Sequence, residues 1–136
     1  MAASVPGHYH ALEIESMSPA KRIVYLYGFL LGQLNQAQRH IAEGEHEARN
    51  KKLMKAQDVV HELLVSLNRE EGGEIANNLA AIYGYWLKEL LHIDVNDDAA
   101  RLERLKALVS AMHQTWTEAA ESYDRQTAPP NGSYDA

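Results

Sequence analysis

The chain has no cysteine and only one phenylalanine. Without cysteine, disulfides, thiol chemistry and cysteine-based zinc sites are all excluded. The scarcity of alternating β-branched and aromatic residues argues against a β-sheet. The longest apolar run spans residues 23 to 31, far short of the roughly 20 residues that a membrane-spanning helix needs. The first residues also lack a basic region followed by an apolar one, so we expect no signal peptide.

Positive charge is in short supply as well. The chain has 13 Lys and Arg against 19 Asp and Glu, which gives a net charge of −6. Because nucleic-acid affinity depends on clustered cations, this balance argues against a nucleic-acid partner. A length of 136 residues fits one domain with a substantial core. We therefore expect one acidic, cytoplasmic domain that does not insert into a membrane.

The sequence does have strong helical periodicity, and it is clearest around the glycine pair Gly72-Gly73. These glycines supply positive φ and are expected to end the preceding helix. Glu74 then suits the positive end of the next helix. The apolar residues that follow are spaced as one helical stripe: Ile75, Leu79, Ile82, Tyr83 and Trp86. This stretch therefore predicts a helical hairpin.

Similar signals delimit the other helices. Ser18 is a favoured N-cap, and Pro19 fits the first helical position. Gly44 is expected to end that helix, and Asp97-Asp98 to cap the last one. The four expected helices cover about residues 18–43, 46–69, 74–93 and 97–124.

Short turns between long helices favour antiparallel neighbours. The sequence therefore predicts an all-α fold, an antiparallel up-down-up-down four-helix bundle over residues 18–124. Residues 1–17 form a short arm before the bundle. Its apolar residues need a surface to lie on and are predicted to cover part of the bundle: Tyr9, Leu12 and Ile14. The polar, Pro- and Gly-rich residues 125–136 are expected to be a disordered tail.

Catalytic and metal-binding patterns are weak. A di-iron bundle needs two Glu-x-x-His motifs and two further inward carboxylates, yet Glu43 to His46 falls at a predicted turn and Asp58 to His61 has no evident partners. Ser110 and His113 lack an orienting acid, so they do not form a triad. We expect no catalytic residues, no metal and no cofactor.

Two helices are more apolar than a bundle requires, since about three apolar positions in seven are enough. The surplus in the third helix is Tyr85, Leu87 and Leu91, and in the first it is Tyr25, Phe29 and Leu31. Wide apolar faces of this kind indicate a protein partner or a covering segment. The cover could be the N-terminal arm or a second copy in a homodimer.

Three stretches are similar, in order and spacing, to one known family. They are residues 18–27 (Ser-Pro-Ala-Lys-Arg-Ile-Val-Tyr-Leu-Tyr), residues 66–79 with the following Ile82-Tyr83-x-Tyr85, and residues 111–119 (Ala-Met-His-Gln-Thr-Trp-x-Glu-Ala). They resemble the start of helix 1, the central signature and the end of helix 4 in the flagellar export chaperones for flagellin, the FliS family. The resemblance covers about residues 9–120.

The resemblance implies a cytoplasmic bundle that binds the disordered C-terminal segment of flagellin. Such a chaperone prevents premature polymerisation and delivers flagellin to the export gate of the flagellar secretion apparatus. The N-terminal arm would lie over the apolar surface until flagellin displaces it, with Tyr9 at the position of the arm's aromatic residue. The predicted contact residues are Tyr27, Leu31, Asn78, Leu79, Ile82, Tyr83, Trp86 and Leu87.

Some positions depart from the family pattern. Gly28 and Gly84 stand where the family commonly has an acidic residue, and Lys88 is the best match to a basic residue late in helix 3. Two alternative functions stay open. One is a regulatory bundle that binds another protein, and the other is a metal-binding bundle.

Overall fold

The computed structural model describes residues 17–127, which form four helices. The helices are α1 (Pro19–Ala42), α2 (His46–Val65), α3 (Arg69–Asn96) and α4 (Ala99–Thr127). Within this range there is no strand, and no helix is both long and apolar enough to span a bilayer. The arm residues Tyr9, Leu12 and Ile14 lie outside the described range, and so does most of the predicted tail.

The polar caps expected at two helix starts are present. The Ser18 side chain accepts a hydrogen bond from the Lys21 amide at 3.3 Å, with Pro19 in the first turn. At the start of α4, the Asp98 carboxylate accepts from the Arg101 amide at 3.0 Å. Asp97 has a different role, because it ends α3 in the left-handed conformation, with φ of 55°. Asp97 therefore ends α3, and Asp98 caps the start of α4.

The turn between α2 and α3 differs from the expectation. α2 ends at Val65, and α3 begins at Arg69, before the glycine pair. Asn68 explains the early start, since its side-chain oxygen accepts from the Glu71 amide at 3.0 Å and Asn is a strong N-cap. Gly73 then kinks α3, with φ of 53° and ψ of −127°. The expected break at the glycine pair is therefore present, with regular helix resuming at Glu74, but it falls after the first turn of α3. The prediction that the glycines end the second helix was wrong, because α2 already ends at Val65.

Ion pairs between helix starts and helix ends show that two pairs of neighbouring helices are antiparallel. Near the start of α2, Arg49 reaches Asp94 at 3.0 Å and Asp97 at 2.8 Å, both at the end of α3. At the opposite edge, Lys21 at the start of α1 lies 3.8 Å from Asp124 near the end of α4. Helix α1 packs on α2 and α4, while α3 packs on α2 and least closely on α4. The predicted antiparallel four-helix bundle is confirmed.

The predicted apolar stripes meet along the bundle axis. The core residues of α1 and α2 are Leu26, Tyr27, Leu30, Leu34, Ala37, Leu53, Ala56, Val59, Val60 and Leu63. Those of α3 and α4 are Tyr83, Trp86, Leu90, Ile93, Leu102, Leu105 and Val109. Their burial stabilises the bundle because each removes apolar surface from water.

An aromatic cluster crosses the core from α1 to α3. The hydroxyl oxygens of Tyr27 and Tyr83 are hydrogen-bonded at 2.9 Å. The Trp86 ring meets Tyr27 edge-on, with centroids 5.9 Å apart. On the α4 side, His113 stacks on Tyr27 with an interplanar angle of 6°. Burial, more than the hydrogen bond, raises the pKa of Tyr27 far above its ordinary value, and burial also raises the pKa of Tyr83.

These two phenols make the bundle sensitive to alkali. Below about pH 10, both the folded and unfolded chains keep the phenolic protons, so these groups give no pH dependence. Above that pH the unfolded chain loses protons that the folded chain retains, so stability falls as pH rises. The limiting slope is about 1.4 kcal/mol per pH unit for each tyrosine.

We expect the double variant Tyr27→Phe/Tyr83→Phe to remove this alkaline loss. The measurement is the free energy of unfolding in urea, followed from about pH 9 to about pH 11. Replacing both hydroxyls avoids leaving one of them buried without a partner. Equal slopes for the variant and the wild type would show that these phenols do not set the alkaline limit.

Candidate binding groove

The structure separates the predicted contact residues into three groups. Tyr27, Tyr83 and Trp86 fill the core, with exposed fractions of 0%, 2% and 2%. Half-buried residues that pack against the core form the second group: Leu31, Leu79, Ile82 and Leu87. Asn78 is exposed. Tyr27, Tyr83 and Trp86 can therefore only support a binding surface from the core, whereas the residues of the other two groups are accessible to solvent.

One cavity of about 240 Å³ opens beside the first turns of α3, where the end of α2, Ile23 of α1 and Trp116 of α4 complete its walls. We call it the apolar pocket. Ser66, Asn68 and Gly72 line part of it. The rest of its walls are hydrophobic: Ile23, Leu63, Leu67, Ile75, Ala76, Leu79, Tyr83 and Trp116. The Trp116 indole N–H is buried, and its ring lies against Tyr27 with centroids 6.4 Å apart. Such a pocket suits an apolar side chain, because most of its lining offers nothing to hydrogen-bond.

A second cavity, of about 380 Å³, lies nearer the other end of the same two helices. We call it the arginine pocket. Its lining combines apolar and charged residues: Tyr85, Glu89, Arg101, Arg104, Leu105, Ala107 and Leu108. Arg101 is paired with Glu89 at 3.0 Å. Arg104 makes no ion pair with any residue in 17–127.

Two half-buried residues lie between the pockets along the sequences of α3 and α4. Ile82 follows Leu79 by three residues on α3, and Met112 lies midway between Leu108 and Trp116 on α4. Residues three or four apart on a helix share one face. We call the two pockets and these residues, taken together, the α3–α4 groove; the apolar pocket also has walls from α1 and α2. From Ile75 to Glu89 it extends about 21 Å, at 1.5 Å per residue.

Large apolar side chains stand open along this groove. Ile75 is 71% exposed, Tyr85 51% and Leu108 49%. The strip lies beside α3 and α4, which are the least closely packed of the neighbouring helix pairs. An exposed apolar strip of this kind marks an interaction site.

Some groove residues were not among the predicted contacts. Ile75 belongs to the predicted stripe of the third helix, and Met112 and Trp116 fall in the resembling stretch 111–119. Neither signal shows which residues lie at an open flank. Leu108 and Arg104 were part of no predicted stripe or motif. The available signal for Leu108 was an apolar residue one helical turn after an arginine, Arg104. Conversely, neither pocket is lined by Leu31 or Leu87.

Packing does not require glycine at positions 28 and 84. A Cβ at Gly28 would lie 3.7 Å from the His113 ring, an ordinary contact, and one at Gly84 would meet nothing within 4 Å. Neither glycine therefore marks a close approach between helices of the bundle.

The described residues offer little for chemistry. Ser110 is exposed, while the half-buried His113 stacks on Tyr27. Within residues 17–127, the one group of three potential metal ligands is His40, Glu43 and Glu45. It sits at the exposed α1–α2 turn, where His40 Nδ1 already lies 2.7 Å from the Glu45 carboxylate. That hydrogen bond is the main reason why the pKa of Glu45 is lowered.

A four-helix bundle with an open apolar groove has the features of a helical binding protein. Comparison with known proteins gives the family. A family model described as flagellar protein FliS matches residues 1–123, and the chain belongs to that family. The resemblance seen in the sequence is thereby confirmed.

Several curated relatives carry the same name. The chain is 30% identical to the flagellar secretion chaperone FliS of Salmonella typhimurium over 106 residues, which cover 77% of this chain and 78% of the relative. It is 25% identical to the Bacillus subtilis protein of that name over 84% of each chain, and 23% identical to the Vibrio cholerae one over 88% of each. The family's proteins are thus named as secretion chaperones and not as enzymes.

Proposed function

We propose that this chain is a cytoplasmic export chaperone for flagellin. It binds the disordered C-terminal segment of flagellin, prevents premature polymerisation, and delivers flagellin to the gate of the flagellar secretion apparatus. The observation that carries the proposal is the α3–α4 groove, a strip of exposed apolar residues in a chain of this chaperone family.

The groove suits a client that folds on binding. An amphipathic helix laid along it would place apolar residues one turn apart over Leu108, Met112 and Trp116, the usual helix-in-groove arrangement. Ordering a disordered segment consumes part of the gross interaction energy. Apolar burial at both pockets supplies that energy without any bond-making chemistry.

Among the predicted contact residues, Leu79 and Ile82 belong to the groove and Asn78 lies next to it. Leu79 lines the apolar pocket, and Ile82 joins the two pockets. Asn78 is exposed next to Leu79 on the same helix, and its side chain can form hydrogen bonds with the client backbone. Tyr27, Tyr83 and Trp86 hold the groove floor in place. Leu31 and Leu87 would be used only if the client continues beyond the groove.

The test is calorimetric titration of the purified protein with the last 40 to 50 or so residues of a flagellin from the same cell. That length allows several client helices at 1.5 Å per residue. We expect tight 1:1 binding, with a gain of helix measured by circular dichroism. No binding by the full chain, nor by a variant lacking the N-terminal arm, would overturn the proposal and favour a regulator with another partner. Sedimentation of the free protein would show whether it is a homodimer.

A further inference from the structure

The charge of the α3–α4 groove differs from that of the whole chain. The protein carries a net charge of −6, yet the arginine pocket contains two arginines and one carboxylate. Glu89 is already held by Arg101 at 3.0 Å. Arg104 is exposed at the rim, and the pocket lining offers it no second carboxylate. The groove therefore ends in one uncompensated cation beside apolar side chains.

The opposite end of the groove is uncharged. The apolar pocket is lined by no charged residue. Arg104 and Trp116 are 12 residues apart on α4, which corresponds to about 18 Å along the helix. A partner helix lying along α4 would cover that distance with about 12 of its own residues. Three turns of a helix bring residues about 11 apart back to the same face.

We infer that the groove selects an amphipathic helix with a carboxylate about 11 residues from a large apolar anchor. The anchor enters the apolar pocket, and the carboxylate lies against Arg104. This inference rests on the proposed function, and it names the feature of the client segment that the groove recognises. The guanidinium orients the helix because only one end of the groove attracts an acidic side chain.

The test is a charge reversal, Arg104→Glu, with Lys51→Glu as the matched control. Lys51 is an exposed cation on α2 that lines neither pocket. With the flagellin C-terminal segment as the probe, we expect Arg104→Glu to weaken binding about five- to thirtyfold at low salt, and added salt to narrow the difference. Lys51→Glu should stay within about twofold of the wild type.

A second arm identifies the carboxylate. Each acidic residue of the flagellin segment is changed to lysine in turn and titrated against Arg104→Glu. One such change should restore binding, and the residue should lie about 11 positions from a large apolar residue. If the wild type binds the segment and both variants bind it equally well, this inference is wrong and the proposed function stands. If the wild type does not bind, the proposed function fails, and the inference fails with it.

Discussion

Replacing Trp86 with alanine is expected to lower the free energy of unfolding by about 3 to 5 kcal/mol. Trp86 is only 2% exposed, and its ring contacts Tyr27 and Tyr83 at centroid distances of 5.9 and 5.5 Å. The substitution removes these contacts and leaves a cavity that the surrounding helices fill only in part. Because domains are stable by only about 5 to 15 kcal/mol, the variant should be marginal or unfolded. Urea denaturation followed by circular dichroism measures the loss.

The neighbouring residue gives the control. Tyr85 is 51% exposed and lines the arginine pocket, so Tyr85→Ala should change stability by less than about 1 kcal/mol. The same variant should nevertheless bind the flagellin segment more weakly, because it loses apolar area in the groove. A Trp86→Ala protein as stable as the wild type would contradict the core position of this residue.

The second large effect is on binding. The double variant Ile75→Asp/Leu108→Asp places one carboxylate in each pocket of the α3–α4 groove. Burying a large apolar side chain is worth about 1.5 to 3 kcal/mol, so losing two should weaken binding of the flagellin segment by about 100-fold or more. Both side chains are exposed, at 71% and 49%, so the bundle should remain folded. Calorimetry measures the affinity, and circular dichroism verifies the fold.

Leu91→Asp is the matched control for this double variant. Leu91 lies on the same helix as Ile75 and is 60% exposed, but it lines neither pocket. The Leu91→Asp variant should bind the flagellin segment with nearly the wild-type affinity. An equal loss for Leu91→Asp and the groove variant would mean that added negative charge, and not the groove, controls binding.

The fold was accessible from sequence because the helical stripes are regular and the turns between them are short. Ser18 and Asp98 cap their helices as their residue types predict. The α2–α3 turn was misplaced because the glycine pair was given more weight than Asn68 and Glu71. These two residues form a capping pair one turn earlier. Local polar capping started α3, and Gly73 then interrupted the helix at the glycine pair that the sequence had indicated.

The binding surface was less accessible. Periodicity shows which residues share a helix face, but the looseness of one helix pair decides which face remains open. Tyr27, Tyr83 and Trp86 are aromatic and lie in the resembling stretches, yet their rings are buried. Leu108 and Arg104 carry no periodic signal, and they gain importance only because α3 and α4 pack loosely. Their part in binding could be proposed only once the three-dimensional contacts were known.

Site-specific photocrosslinking tests the central claim, occupation of the α3–α4 groove by the flagellin segment, most directly. The chain has no cysteine, so Ile75→Cys, Leu108→Cys and Leu91→Cys each carry a single thiol for a benzophenone label. After illumination with the flagellin C-terminal segment, we expect covalent adducts from positions 75 and 108 and little from position 91. Adducts from position 91 alone would contradict the account and move the binding surface to another face of the bundle.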